Sequence, residues 1–269
     1  MAQYQVIVIG DAILDEYVYI SPLGMSNKDM NLTAEFKRKE IFQGGVYGAA
    51  AHLENFVSDV QIHAGNVITT KRRFVEETYV RKFFTLYVTE SVGQAWEPDF
   101  TTPDMVIVTD FGHGCVDAAM IKRLGYAKYL AVNAQTNSAN RGFNLITKYP
   151  RADYVVIDNL EARLAAHDKD SPIEDVIGKL GFPKIVVTQG ANGAVGYDWS
   201  FHYAKGRGGK VVDTMGAGDA FFAVTAPLAG AGADMPTLLE VGNAAGAIKC
   251  GSVGQKAVTK EALLEAVCA

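Results

Sequence analysis

Short, nearly unbroken runs of β-branched and aliphatic residues recur along the chain, at 5–9, 57–63, 105–109, 129–133, 154–157 and 184–188. Runs without alternation suit strands buried on both faces, as in a parallel sheet covered by helices. Helical stretches lie between and after them, at 47–56, 116–124, 160–166 and 173–180, then at 217–229, 235–251 and 259–267. Alternation of this kind predicts a doubly wound α/β fold. Two stretches depart from it. Residues 16–42 and 74–89 alternate aromatic or β-branched residues with charges, as in Phe83-Phe-Thr-Leu-Tyr-Val88. That pattern predicts antiparallel strands with one wet face, forming a small sheet that lies across the main domain as a lid. No repeat or low-complexity linker interrupts the chain, so residues 1–269 are expected to form one domain carrying that lid.

Composition narrows the function. The 269 residues are 49% apolar and 20% charged, which is enough for a substantial core. A net charge of −5 argues against a general nucleic-acid binder, which needs a basic surface to neutralise phosphates. A local cluster of Lys and Arg around a phosphorylated small molecule is still compatible with it. Cys115, Cys250 and Cys268 are odd in number, far apart and without ligand spacing, so free thiols in a reducing cytoplasm are expected. The apolar run Val6-Ile-Val-Ile9 is too short for a signal peptide, and no stretch reaches the length of a membrane span. A soluble, cytoplasmic protein with neither membrane nor nucleic acid as partner is the expectation.

The chemistry concentrates in Val211-Val-Asp-Thr-Met-Gly-Ala-Gly-Asp-Ala-Phe-Phe222. A strand is expected to end near Val212 and a helix to begin near Gly218. Gly216 and Gly218 let the backbone approach a ligand, and the first N–H groups of the helix form an anion site. Asp219 in that site would be repelled by a bound phosphate unless it had a task. Taking a proton from an attacking hydroxyl is such a task, since phosphoryl transfer depends on positioning and charge stabilisation. The plainer reading makes Asp219 an ordinary first-turn acid.

The run Asp213-Thr-Met-Gly-Ala-Gly-Asp219 resembles the C-terminal signature of the ribokinase/PfkB family of carbohydrate kinases. Further segments follow the same order as in that family: Gly10-Asp-Ala-Ile-Leu-Asp15, Gly44-Gly45, Thr70-Lys-Arg-Arg73, Asp110-Phe-Gly-His-Gly114, Asp158-Asn-Leu-Glu161 and Thr188-Gln-Gly190. Together they resemble the heptose 7-phosphate kinase domain of bifunctional ADP-heptose synthases. The resemblance implies a ribokinase-like α/β fold, ATP and Mg²⁺ as cofactors, and a sugar or sugar phosphate as acceptor. It implies Asp219 as the base, the N–H groups of Ala217, Gly218 and Asp219 as an anion hole, and Gly216 as part of the same catalytic loop. Asp158 and Glu161 would help hold Mg²⁺ and phosphates, and Thr188, Gly190, Asp213 and Asn243 would lie near the nucleotide. Asp11, Asp15, Gly44 and Gly45 would face the sugar, and Lys71, Arg73 and Arg81 a phosphate already on it. A nucleotidyltransferase partner is a further implication, and an uncovered lid face would favour a homodimer.

Plainer roles stand beside these. Asp11 could merely cap a turn, Glu161 could be a first-turn acid, and Lys71-Arg72-Arg73 could be a solvated charge run. His113, between two glycines, reads as a local hydrogen-bonding residue. The chain also departs from the family pattern. Gly48 stands where an Asn contacts the sugar, His113 replaces a frequent Lys, and Asn133-Ala-Gln135 replaces Asp-Pro-Lys. Asp158 replaces the metal-side Asn, and only seven residues separate His63 from Lys71, where relatives insert a helix and a strand. These changes fall mainly on the acceptor side. They sustain an alternative, a kinase-like domain without turnover that binds nucleotide or sugar or supports a partner enzyme. A Rossmann dehydrogenase is excluded, because the first strand leads into Gly10-Asp-Ala-Ile-Leu14 with no GxGxxG.

Overall fold

A computed structural model describes residues 2–79, 81–91, 98–254 and 256–268. The strands, in chain order, are β1 (Ala2–Met25), β2 (Leu32–Gly45), β3 (Val57–Glu76), β4 (Arg81–Ser91), β5 (Met105–Asp110), β6 (Leu130–Ala134), β7 (Tyr154–Asp158), β8 (Ile185–Thr188), β9 (Ala194–Tyr197) and β10 (Phe201–Ala204). The helices are α1 (Val46–Leu53), α2 (Ala118–Leu124), α3 (Asn159–Ala165), α4 (Ile173–Leu180), α5 (Ala217–Gly230), α6 (Met235–Cys250) and α7 (Lys260–Cys268). The sheet order is β10-β9-β8-β7-β6-β5-β1-β3-β4, with β2 attached to β1. From β8 through β3 the neighbours are parallel, and the outer pairs are antiparallel.

Two apolar layers sandwich the sheet, which is why its strands read as continuous hydrophobic runs. On one face, Ile7, Ile9, Val106 and Val108 pack with Leu124 of α2, Ala162 of α3 and Val176 of α4. On the other, Val6, Val8 and Ile107 pack with Leu53 of α1, Phe222 of α5 and Leu238 of α6. Among the described residues no helix is long and apolar enough to cross a membrane.

The lid differs from the sequence expectation. It is not a separate sheet laid across the domain but the far half of β1 and β3. Val6–Gly10 of β1 pairs with β5, and from Ala12 onward β1 leaves β5 and takes β2 as its antiparallel neighbour. Its partner β3 stays parallel to it throughout, so the lid is two antiparallel pairs joined by a parallel one. The missing helix and strand between His63 and Lys71 have the same cause, because β3 runs straight through that region. A strand was also expected before Asp213. Val211 and Val212 form none; the Val212 N–H instead donates to the Cys250 carbonyl (2.8 Å). The β9–β10 hairpin went unforeseen, its strands being only four residues each.

Candidate active site

The C-terminal ends of β5, β6, β7 and β8, the start of α5 and the root of the lid enclose a cleft of about 780 Å³. Asp15, Lys71 and Arg73 stand at its lid end, and Glu161, Gly218 and Asp219 towards the helices.

At the helix end, Gly216 takes φ 77°, the left-handed conformation that glycine adopts without strain, and begins α5 without a side-chain cap. Ala217 N–H leans on the Thr214 carbonyl (3.3 Å), while a Cβ at Gly218 would meet nothing within 4 Å. Gly218 thus leaves the approach to the helix start open to a ligand. Asp219, 7% exposed, lines the cleft in the first turn. The Gln135 amide donates to its Oδ1.

Asp158 and Glu161 form a reciprocal capping box on α3. Glu161 N–H donates to Asp158 Oδ1 (2.7 Å) and Asp158 N–H to Glu161 Oε2 (2.8 Å), with Thr136 N–H on Glu161 Oε1 (2.8 Å). Both acids line the cleft, so the capping role and a place on the cleft wall coincide. Burial, then the charge of Asp158, pushes the Glu161 carboxyl up to about 8. Among the described residues no three His, Cys, Asp or Glu side chains gather into a metal cluster. The donor chemistry nonetheless fits Mg²⁺, which takes one or two carboxylates and completes its shell with phosphate and water. The buried Glu161 carboxyl beside Asp158 is the kind of crowded acid whose ionised form such a cation favours.

Thr188, Gly190 and Asn243 also line the cleft. Asn243 is partly committed, since its amide donates to the Lys205 carbonyl (3.2 Å) and ties α6 to the segment after β10. Sequence reading missed that segment. Gly206, Gly208 and Gly209 with Arg207 and Lys210 form part of the wall, and glycines interleaved with cations were the available signal.

Asp213 does not line the cleft. Its carboxylate accepts from Tyr17 Oη (2.9 Å), Met215 N–H (3.2 Å) and Gly254 N–H (3.4 Å), with Lys82 Nζ at 3.5 Å. It ties the lid to the loop before α5 rather than meeting a nucleotide. Its carboxyl lies below the usual value although burial pulls the other way, because these donors and the Lys82 charge favour the ionised form.

The lid end is organised by strand alternation. Thr69, Lys71, Arg73 and Val75 on β3 are buried, while Arg72 points away and pairs with Glu16. Arg73 forms an ion pair with Asp15, both buried. Lys71 is 7% exposed; its Nζ lies 5.0 Å from the centroid of Phe111 and 5.9 Å from that of Tyr87, and this ammonium has no hydrogen bond or ion pair among the described residues. Burial pulls its ammonium below the ordinary lysine value, with Asp15 the largest opposing influence. The charge run is therefore not a solvated face.

Three expectations are corrected here. Arg81 is exposed at the outer end of β4, opposite Glu76, away from the cleft. Asp11 is 1% exposed and accepts from the N–H groups of Phe111 (2.8 Å), His113 (3.3 Å) and Cys115 (3.0 Å), so its oxygens hold a loop. Gly44 packs against Asp15, where a Cβ would come within 2.5 Å of Oδ2, and does not line the cleft. Gly45 does line it, with φ 58° and no room for a Cβ beside the Asp11 carbonyl. His113 hydrogen-bonds through Nδ1 to Thr69 Oγ1 (3.1 Å), 44 positions away on β3.

A carboxylate at an open, glycine-capped helix start, facing buried cations across one cleft, is an arrangement suited to phosphoryl transfer to a hydroxyl. A family model described as pfkB family carbohydrate kinase matches residues 120–262, more than half of the chain, and the chain belongs to that family. It is 25% identical over 302 aligned residues to the bifunctional protein HldE of Bradyrhizobium diazoefficiens. That alignment covers 94% of this chain and 61% of the relative, so the chain spans about three fifths of that protein's length. Thermotoga maritima ribokinase superposes with a TM-score of 0.77 at 13% identity, covering 99% of this chain and all of that one. Arabidopsis thaliana ribokinase complexed with ribose and ATP gives 0.70 at 15% identity, covering 99% of each chain. These likenesses show a ribokinase-like fold.

Proposed function

We propose that this chain transfers the terminal phosphoryl group of ATP to a hydroxyl of a sugar that already carries a phosphate, such as a heptose 7-phosphate. The observation that carries the reading is Asp219, buried in the first turn of α5 beside an open glycine backbone and facing the lid across one cleft. In this reading the acceptor hydroxyl gives its proton to Asp219 as its oxygen attacks the phosphorus. The bond to the ADP oxygen breaks, and the N–H groups at the start of α5 receive the charge on the transferring group. Asp158 and Glu161 would hold Mg²⁺, which supplies charge neutralisation on the phosphate oxygens when bound. Thr188, Gly190 and Asn243 would border the nucleotide.

Lys71 supports the anionic acceptor. Arg73 is already neutralised by Asp15, so among the described residues the cleft-lining lid cation without an ion pair is the Lys71 ammonium, on which an acceptor phosphate would sit. The test is a coupled ADP-release assay across paired sugars and sugar phosphates. Preference for the phosphate in the wild type, lost in Lys71→Met, supports the reading, and equal use of both by the wild type contradicts it.

The alternative, a domain without turnover that binds nucleotide or sugar or supports a partner nucleotidyltransferase, draws on the residues that stand at Gly48, His113, Asn133 and Gln135. Absence of turnover with any acceptor, despite nucleotide binding, would favour it. The outer face of the lid exposes Phe36, Ile41 and Phe84 and supports a homodimer, which sedimentation would detect. A cytoplasmic location fits a consumer of ATP.

A further inference from the structure

The replacement of Asp-Pro-Lys by Asn133-Ala-Gln135 reads in the sequence as a loss. In the fold these amides form a relay whose direction is fixed from one end. The Val156 carbonyl can only accept, and Asn133 Nδ2 lies 2.8 Å from it. Asn133 must therefore turn its NH₂ towards β7 and its Oδ1 towards Gln135. Gln135 Nε2 stands 3.0 Å from that oxygen, so Gln135 presents its NH₂ as well. The second hydrogen of the same NH₂ is donated to Asp219 Oδ1. A flipped Gln135 would set its own oxygen against two acceptors at once, so the whole chain takes one polarity.

The donor is also held in place. Gln135 N–H donates to the Asp110 carbonyl (2.8 Å), and its own carbonyl accepts from Asn140 Nδ2 (2.9 Å) and Asn144 Nδ2 (3.2 Å). Its main chain cannot drift without breaking three hydrogen bonds. Asp219 is further influenced by Lys71 from β3, Glu161 from α3 and Lys249 from α6. A lysine in place of Gln135 would add another full charge to that set, whereas a neutral amide orients the carboxylate without adding one.

We propose that Gln135 is a positioning residue for the phosphoryl-transfer step: by donating to Oδ1 it fixes the orientation in which the Asp219 carboxylate meets the acceptor hydroxyl. The inference rests on the reading of Asp219 as the base, and it turns a departure from the family pattern into a working part.

Two measurements on the full chain test it. Side-chain amide NMR assigns the Gln135 NH₂ pair by its disappearance in Gln135→Met. In Asp219→Ala one of the two proton resonances should move upfield, and in Asn133→Leu the other, while Asp158→Ala moves neither. An unchanged pair in Asp219→Ala would overturn the relay. In the kinetic arm, Gln135→Met keeps the side-chain length and loses the donor. It should lower kcat by about tenfold or more, the worth of a hydrogen bond to a charged group, with ATP affinity held within about twofold. Weakened ATP binding at intact kcat would make Gln135 a nucleotide ligand and refute the positioning role. Wild-type turnover by Asp219→Asn would overturn the base reading and this proposal with it. A silent Asp219→Asn beside an unaffected Gln135→Met would overturn this proposal alone.

Discussion

The two ends of the cleft are built by different means. At the helix end the cleft-facing groups are main-chain N–H groups and carboxylates placed at helix starts: Asp158 and Glu161 cap one helix across three residues, and Gly216 opens another. At the lid end they are charged side chains from different strands, such as Asp15 and Arg73, 58 positions apart in the chain. A site made of backbone tolerates change in the sequence around it, provided its glycines stay. A site made of buried charges depends on each partner, so substitutions there alter what is recognised.

The largest expected effect lies in that dependence. Arg73→Leu leaves Asp15 buried and unpaired and should cost about 3–5 kcal/mol of stability, whereas Arg73→Leu with Asp15→Leu should recover most of it. Urea denaturation of the three chains checks this, and an equal loss in the double variant would break the comparison. The next effect is smaller and confined to function. Lys71→Met should reduce use of a phosphorylated acceptor by about 10–100-fold, the worth of a charge-assisted hydrogen bond, and leave ATP affinity unchanged by titration calorimetry. A matching loss of ATP affinity would mean that the two ends are not separate.

How much of this was legible follows from the same contrast. The 213–219 motif, the helix starting beside it and the parallel strands are local features, set by glycine spacing and continuous apolar runs, and each was read from its own segment. The Asp15–Arg73 pair was not, because Asp15 and Arg73 meet only through the register that sets Tyr17 opposite Arg73. Asp213 misled for a similar reason. It belongs to the motif, yet its partners Tyr17 and Lys82 come from the lid. Asp11 was open to either role, and three N–H donors of a loop about a hundred residues away decided it.

A pH experiment gives the smallest effect at any single pH and bears on the helix end. Glu161, raised from 4.5 to about 8, enters the folded state protonated where the unfolded chain would ionise it. The stability this contributes is complete below about pH 4.5 and is lost as the pH rises through about 8. Thermal melts across that window should show the wild type declining relative to Glu161→Gln. Addition of Mg²⁺ with a nucleotide should reduce the difference, because the cation favours the ionised carboxylate. A flat difference with pH would remove Glu161 from the metal side.

The central claim is that Asp219 takes the proton of an acceptor hydroxyl. Its most direct test is the rate of ADP release by Asp219→Asn with the best acceptor of the wild type, at saturating ATP and Mg²⁺. The account predicts a fall of about two to four orders of magnitude, with the melting temperature and ATP affinity nearly unchanged. Turnover close to that of the wild type, or a fall that merely tracks unfolding, would contradict it.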